Sequence, residues 1–292
     1  MAALNPADIV LTGIPRGGTT LACRLLGEAV DTLALFEPMP VAALPTTPAA
    51  AADAVARYFA QVRERALREG RVPSKHRAGR VPDNPFGERV SGQLPRPWLV
   101  EQGDIAVDKP LSATFRLVIK HNAAFTALLP ELGKRHLLVG IVRNPLAVLA
   151  SWRSVDLPVS HGRLPAGERL DPLLAQALAQ QPDDLRRQIL ILDWFFSRLL
   201  RWVPPPCLLR YEDVVASGGA CLLRAVGAPP PEVVAPPLRS RNASAQYDVA
   251  SIRTLTHALH AHAGASLRFY GAAAVDALAA RLIAAAPGPG HG

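Results

Sequence analysis

The segment from Ile9 to Thr20, Ile-Val-Leu-Thr-Gly-Ile-Pro-Arg-Gly-Gly-Thr-Thr, constrains this chain more tightly than any other. Ile9 to Thr12 are apolar or β-branched and suit a short buried strand. Gly13, Gly17 and Gly18 allow the backbone to turn back tightly and present its N–H groups. Thr19 and Thr20 then open an amphipathic run, with Leu21 and Leu25 four residues apart and Arg24 and Glu28 on another face. A strand that feeds a helix through a glycine turn brings unpaired amides and the positive end of the helix dipole to one point. A phosphate or sulfate group fits that point.

The spacing nearly matches the nucleoside-triphosphatase pattern G-x-x-x-x-G-K-[ST], with Gly13, Gly18 and Thr20 in register. Thr19 stands where a lysine would reach the β- and γ-phosphates, and the loop's cation is Arg16 instead. Ordinary ATP or GTP hydrolysis is therefore disfavoured. The net charge of +8 suits a strongly anionic partner.

With 49% hydrophobic residues over 292 positions, the chain has ample material for a core. Cys23, Cys207 and Cys221 are odd in number and widely spaced in apolar surroundings, so they are expected as reduced core residues. The first strand starts close to the N-terminus with no charged-then-apolar leader, and no apolar run reaches the ~18 residues of a membrane span. A soluble cytoplasmic protein is expected, with neither membrane nor nucleic acid as partner. His257, His260 and His262 do not share one helical face and have no acidic or cysteine companion, so no metal is expected.

Several further elements are legible. Val55, Tyr58, Phe59 and Val62 predict a helix within 50–69, and Leu185, Ile189, Leu192, Phe196 and Leu199 predict one over 185–202. Strands are expected at 117–119, ending at Lys120, at 136–142 and at 207–210. A helix carrying Phe125, Leu128 and Leu129 should stop near Pro130. Asn144-Pro145 starts another, with Asn as the cap and Pro in the first turn. Residues 70–97 carry prolines, glycines and Arg71, Lys75, His76, Arg77, Arg80 and Arg89, which marks a lid or acceptor-binding loop. Alternating strands and helices predict a three-layer α/β/α fold with a central parallel sheet, similar to P-loop nucleoside triphosphatases. One domain over 1–284 and a flexible tail over 285–292 complete the expectation.

Arg143 follows the strand 136–142, where a triphosphatase would place an Asp for magnesium, and Ser151 comes eight residues later. In a parallel sheet the ends of the strands share one rim, so Arg143 falls beside the glycine loop. Gly-x-Pro-[Arg/Lys]-[Ser/Gly]-Gly-Thr-Thr, the run 142–152 and Arg210-Tyr211-Glu212-Asp213 together resemble the sulfotransferases that use 3′-phosphoadenosine 5′-phosphosulfate (PAPS). The resemblance runs in blocks from residue 9 to about 215, nearest in pattern to carbohydrate-type members.

That resemblance implies PAPS as co-substrate and no metal. Arg16, Gly17, Gly18, Thr19 and Thr20 would hold the 5′-phosphosulfate, Arg143 and Ser151 the 3′-phosphate, and Tyr211 would lie near the adenine. Arg16 and Lys120 would be the electrophilic groups. Glu37, in Phe36-Glu37-Pro38, matches the base of the carbohydrate enzymes, provided that partial burial raises its pKa. His121 is the competing base, displaced from the family's Lys-x-His spacing because it directly follows Lys120. The late Arg-Lys-Gly segment of cytosolic members is absent; Arg239-Ser240-Arg241 could substitute for it, with solvated charge the favoured reading. A saccharide or small hydroxylated metabolite is the expected acceptor. A nucleotide kinase or triphosphatase and a non-catalytic PAPS-binding protein stay open as alternatives, and nothing in the sequence fixes the oligomeric state.

Overall fold

The structure, a computed structural model, describes residues 5–88, 95–229, 236–242 and 248–285, so Arg89 and nearly all of the expected tail lie outside it. In chain order the elements are β1 (Asn5–Gly13), α1 (Thr19–Glu28), β2 (Thr32–Phe36), α2 (Pro48–Glu69), β3 (Arg71–His76), β4 (Glu101–Ala106), β5 (Arg116–Lys120), α3 (Ala123–Leu132), β6 (His136–Val142) and α4 (Pro145–Trp152). They continue with α5 (Pro165–Leu170), α6 (Pro172–Ala179), α7 (Asp184–Trp202), β7 (Leu208–Arg210), α8 (Tyr211–Ala216), α9 (Ala220–Ala225), α10 (Val249–His262), α11 (Ala265–Tyr270) and α12 (Ala272–Ala284).

Five strands form a parallel sheet in the order β2-β5-β1-β6-β7, flanked by helices. This is consistent with the three-layer arrangement expected. The first-read strand is central: Ile9, Val10 and Leu11 pair with Val118 to Lys120 on one side and Leu137 to Val139 on the other. All three are fully buried, as a strand covered on both faces requires. Asn144 caps α4 by accepting the Leu146 N–H at 3.1 Å, with Pro145 in the first turn.

Other elements differ from expectation. β2 carries no period-2 alternation to announce it, because all five of its residues are buried. The stretch from residue 71 is not simply a loop: β3 pairs antiparallel with β4, Arg71 opposite Ala106 and His76 opposite Glu101. Val72, Ser74 and His76 form the buried side of β3, so polar residues occupy positions that normally signal a strand by hydrophobicity. Ser74 earns its burial by accepting the Phe36 N–H at 3.1 Å, which fastens the hairpin to β2. Helix α3 runs past Pro130 to Leu132. In α1 the buried stripe is Ala22, Cys23 and Leu26, with Leu21 and Leu25 only half-buried. Among the described residues no helix is long and apolar enough to cross a membrane.

His136 opens β6, stacks on Phe59 with ring centroids 4.6 Å apart, and has no hydrogen-bond partner for either ring nitrogen. Burial lowers its pKa to about 4, with Asp8 opposing and Arg135 adding to the shift. The unfolded chain then takes up a proton near pH 6.5 while the folded chain does not, so stability falls as pH drops from about 6.5 toward 4. His136 alone should remove roughly 2 kcal/mol between pH 7 and pH 5. His136→Phe keeps the stacked ring and should flatten that part of the pH dependence in chemical denaturation; an unchanged slope would contradict it.

Candidate functional site

One cavity of about 820 Å³ opens along the carboxyl ends of the parallel strands. It receives Arg16 after β1, Glu37 after β2, His121 after β5, Arg143 after β6 and Tyr211 after β7. A parallel sheet brings these residues together because every strand ends on the same rim. Among the described residues, eight Arg or Lys against three Asp or Glu line it, a cationic lining that suits anions.

The glycine loop owes its shape to close backbone approach. A Cβ on Gly13 would lie 2.2 Å from the Ile141 carbonyl oxygen. Gly18 has φ +95°, and a Cβ there would lie 2.5 Å from the Tyr211 ring. Among the described residues no side chain caps α1, an arrangement that suits an anion at its first-turn amides. Gly17 departs from its expected role: its N–H donates to the Ile14 carbonyl at 2.7 Å, and the residue is buried away from the cavity. Tightening the turn has consumed that amide. Thr19 and Thr20 line the cavity, although the Thr19 hydroxyl already donates to Asn122 Oδ1 at 3.1 Å.

Arg143 is 6% exposed and holds the rim together. Its Nη1 donates to the Arg16 carbonyl at 2.9 Å, Nε to Asn242 Oδ1 at 2.6 Å and Nη2 to the Arg241 carbonyl at 2.7 Å. The guanidinium stacks on Tyr211, 4.6 Å from the ring centroid. These bonds use three of the five N–H groups of the fork. Tyr211 in turn accepts the Arg241 N–H at 3.0 Å through its hydroxyl oxygen. The segment 239–241 is therefore not merely solvated charge. It lies along the cavity, fixed by its backbone to Arg143 and Tyr211 and by the Arg241 side chain to Asp83 at 3.4 Å.

Glu212 bonds beyond its helix N-terminus. It accepts from the Asn144 N–H, Asn242 Nδ2 and the Tyr270 hydroxyl at 3.1, 2.7 and 2.8 Å. Asn242 gave no signal in the sequence, since a lone Asn belongs to no pattern.

Arg16 adopts φ +67°, a left-handed conformation rare for a bulky residue. Its Nε donates to Ser151 Oγ at 3.2 Å and its Nη1 to Asn84 Oδ1 at 3.0 Å, and the guanidinium lies 4.7 Å from the Phe86 ring centroid. The loop cation and the serine paired with Arg143 are thus direct neighbours. Asn84 and Phe86 belong to the expected lid segment.

Glu37, with φ +45°, lies between two lysines: Oε1 is 2.7 Å from Lys120 Nζ and Oε2 is 2.6 Å from Lys75 Nζ. Lys120 is 2% exposed and also lies 4.5 Å from the Phe36 ring centroid. Burial acts to raise the Glu37 pKa, but Lys120, Lys75 and the Lys120 hydrogen bond outweigh it and hold the carboxyl well below the usual range. The expected rise does not occur, because both Lys120 and Lys75 bond the carboxylate, and neither was foreseen as its partner. His121 is buried, its pKa is lowered by burial to about 3, and its Nε2 accepts the Met39 N–H at 3.2 Å. In this structure that lone pair is engaged by the backbone, as both Glu37 oxygens are by the lysines.

Among the described residues, no three His, Cys, Asp or Glu side chains gather as a metal site. His260 pairs with Asp276 at 2.7 Å and His262 with Asp193 at 2.9 Å, in different directions. Cys23 and Cys207 are buried, Cys221 is half-buried, and all three are free thiols.

No family model, curated protein or solved structure matches this chain.

Gly18→Ala should cost about 2 to 4 kcal/mol, because it combines an unfavourable φ with a collision against Tyr211. Thermal unfolding measures this; an unshifted midpoint would show that the loop and Tyr211 are not in contact.

Proposed function

We propose that this chain is a sulfotransferase that takes its sulfuryl group from PAPS, with the glycine loop as a phosphosulfate-binding variant of the P-loop. One observation carries the reading. The start of the helix that follows the glycine loop, Arg143 and Ser151 all line one cationic cavity, and Arg16 Nε donates to Ser151 Oγ. A donor with a 5′-phosphosulfate and a 3′-phosphate presents two anions at fixed separation, and this cavity offers two receptive points. The triphosphatase alternative lacks support here: Arg143 follows β6 in place of a magnesium-binding Asp, and Glu37 after β2 is already engaged by two lysines.

The residues fit such a donor. Gly18 lets the Tyr211 ring pack against the helix start, where a Cβ would collide with it, and Arg143 has two N–H groups beyond its three bonds to described residues. PAPS would supply an activated sulfuryl group whose transfer needs no metal.

The chain's own contribution is charge and placement. The acceptor oxygen bonds to sulfur while the bond from sulfur to the bridging oxygen breaks, its electron pair leaving with the phosphate. Glu37 takes the acceptor's proton, and Lys120 and Arg16 offset the negative charge that develops. The two lysines keep Glu37 ionised at neutral pH, the form that accepts a proton, while limiting its basicity.

Adenosine 3′,5′-bisphosphate in EDTA should raise the unfolding midpoint, by about 2.7 kcal/mol of stabilisation at a hundredfold excess over Kd. Stabilisation only by ADP with magnesium would overturn the reading. Glu37→Gln should lower turnover by at least about a hundredfold while leaving bisphosphate binding intact, and full turnover in that variant would remove Glu37 as the base.

A further inference from the structure

The segment from Leu157 to Ala166 sorts its side chains sharply. Six of its residues line the cavity: Leu157, Pro158, Val159, Leu164, Pro165 and Ala166. None carries a polar side-chain atom. The polar residues between them turn elsewhere. The Ser160 hydroxyl donates to the Trp152 and Val155 carbonyls at 2.8 and 2.7 Å. His161 faces Asp156 at 3.3 Å, and Arg163 pairs with Glu168 at 2.8 Å.

Val41, four residues after Glu37, lines the same cavity. Arg169 of α5 donates to the Val41 and Leu44 carbonyls at 2.6 and 2.7 Å, so the turn that carries Val41 is fastened to the helix that carries Ala166. The wall is thus built before any ligand arrives. Trp98 completes the surroundings. It lines the same cavity at 44% exposure, meets Phe86 edge-on at 5.0 Å, and lies 5.4 Å from Lys75 Nζ, the group paired with Glu37.

We infer that the wall of Val41 and residues 157–166, with Trp98, binds an alcohol whose body is hydrocarbon, its hydroxyl directed to Glu37. As the identity of the acceptor this rests on the sulfotransferase reading; as a binding site it does not. A saccharide presents hydroxyls on every side, and each would be buried against this wall without a side-chain partner. A hydrocarbon body covers the apolar surface left open at Leu157, Pro158, Pro165 and Ala166, with the buried Val159 and Leu164 behind it, and needs one polar partner, at its hydroxyl. This narrows the expected acceptor, a saccharide or small hydroxylated metabolite, to the apolar kind. Transfer follows the balance given above: the alcohol oxygen gains the sulfuryl group, its proton goes to Glu37, and the bisphosphate leaves.

Calorimetric titration of the purified chain with 1-octanol, 2-naphthol and maltotriose, with and without adenosine 3′,5′-bisphosphate, tests the assignment. The two apolar alcohols should bind at least about tenfold more tightly than maltotriose. Ala166→Asp puts a carboxylate into the wall at the second position of α5, where the helix dipole tolerates it, and should weaken both alcohols at least about tenfold while sparing the bisphosphate. If that variant does not fold, Leu157→Ser interrogates the same wall. Tighter binding of maltotriose, or alcohol binding that ignores both wall variants, overturns the inference and leaves the donor reading standing. Alcohols that bind and respond to the variants while the bisphosphate fails to bind would keep the apolar site and remove the donor reading.

Discussion

Everything at the rim depends on where the Arg143 guanidinium points. Three of its hydrogen bonds run to residues far away in sequence, at 16, 241 and 242, and its flat face lies on Tyr211. A charged fork that is 6% exposed is costly unless its donors are met, and here two carbonyls and an amide oxygen meet three of the five. The contacts of Arg143 therefore decide both the course of the glycine loop and the path of the late segment 238–242. Lysine has the charge but not the planar fork, so it could not hold three partners in these directions.

The Lys75–Glu37–Lys120 group follows a different logic. Two ammonium groups surround one carboxylate, leaving an excess of one positive charge where each lysine also faces the Phe36 ring. Within such a cluster the desolvation cost of each member is offset only while the others remain. Removing one partner is therefore more damaging than replacing the whole set with apolar residues of similar volume. Lys120 comes from the parallel sheet and Lys75 from the antiparallel hairpin, so the cluster joins the accessory structure to the main one.

Much of this architecture was legible in the sequence where physical chemistry is local. The strand before the glycine turn, the Asn144-Pro145 start and the stripe from Ile189 to Leu199 each follow from near neighbours, and each stands in the structure. The hairpin was not legible because Ser74 and His76 take inward positions and their burial depends on partners elsewhere. The roles of Lys75, Asn84 and Asn242 were missed for a related reason: each acts through long-range bonds, and a single polar residue leaves no periodic trace. The basicity of Glu37 was misjudged on the same account, since its burial was foreseen and its two lysine partners were not.

The backbone of Arg16 carries a further consequence. A left-handed φ of +67° costs an arginine roughly 1 to 2 kcal/mol that a glycine would not incur. The loop would thus relax if this side chain were shortened to nothing, yet the contact to Ser151 and Asn84 would vanish with it. Robustness and competence pull in opposite directions at this position. Random drift filtered only for foldedness would tend to erase Arg16, while selection on what the cavity does would restore it.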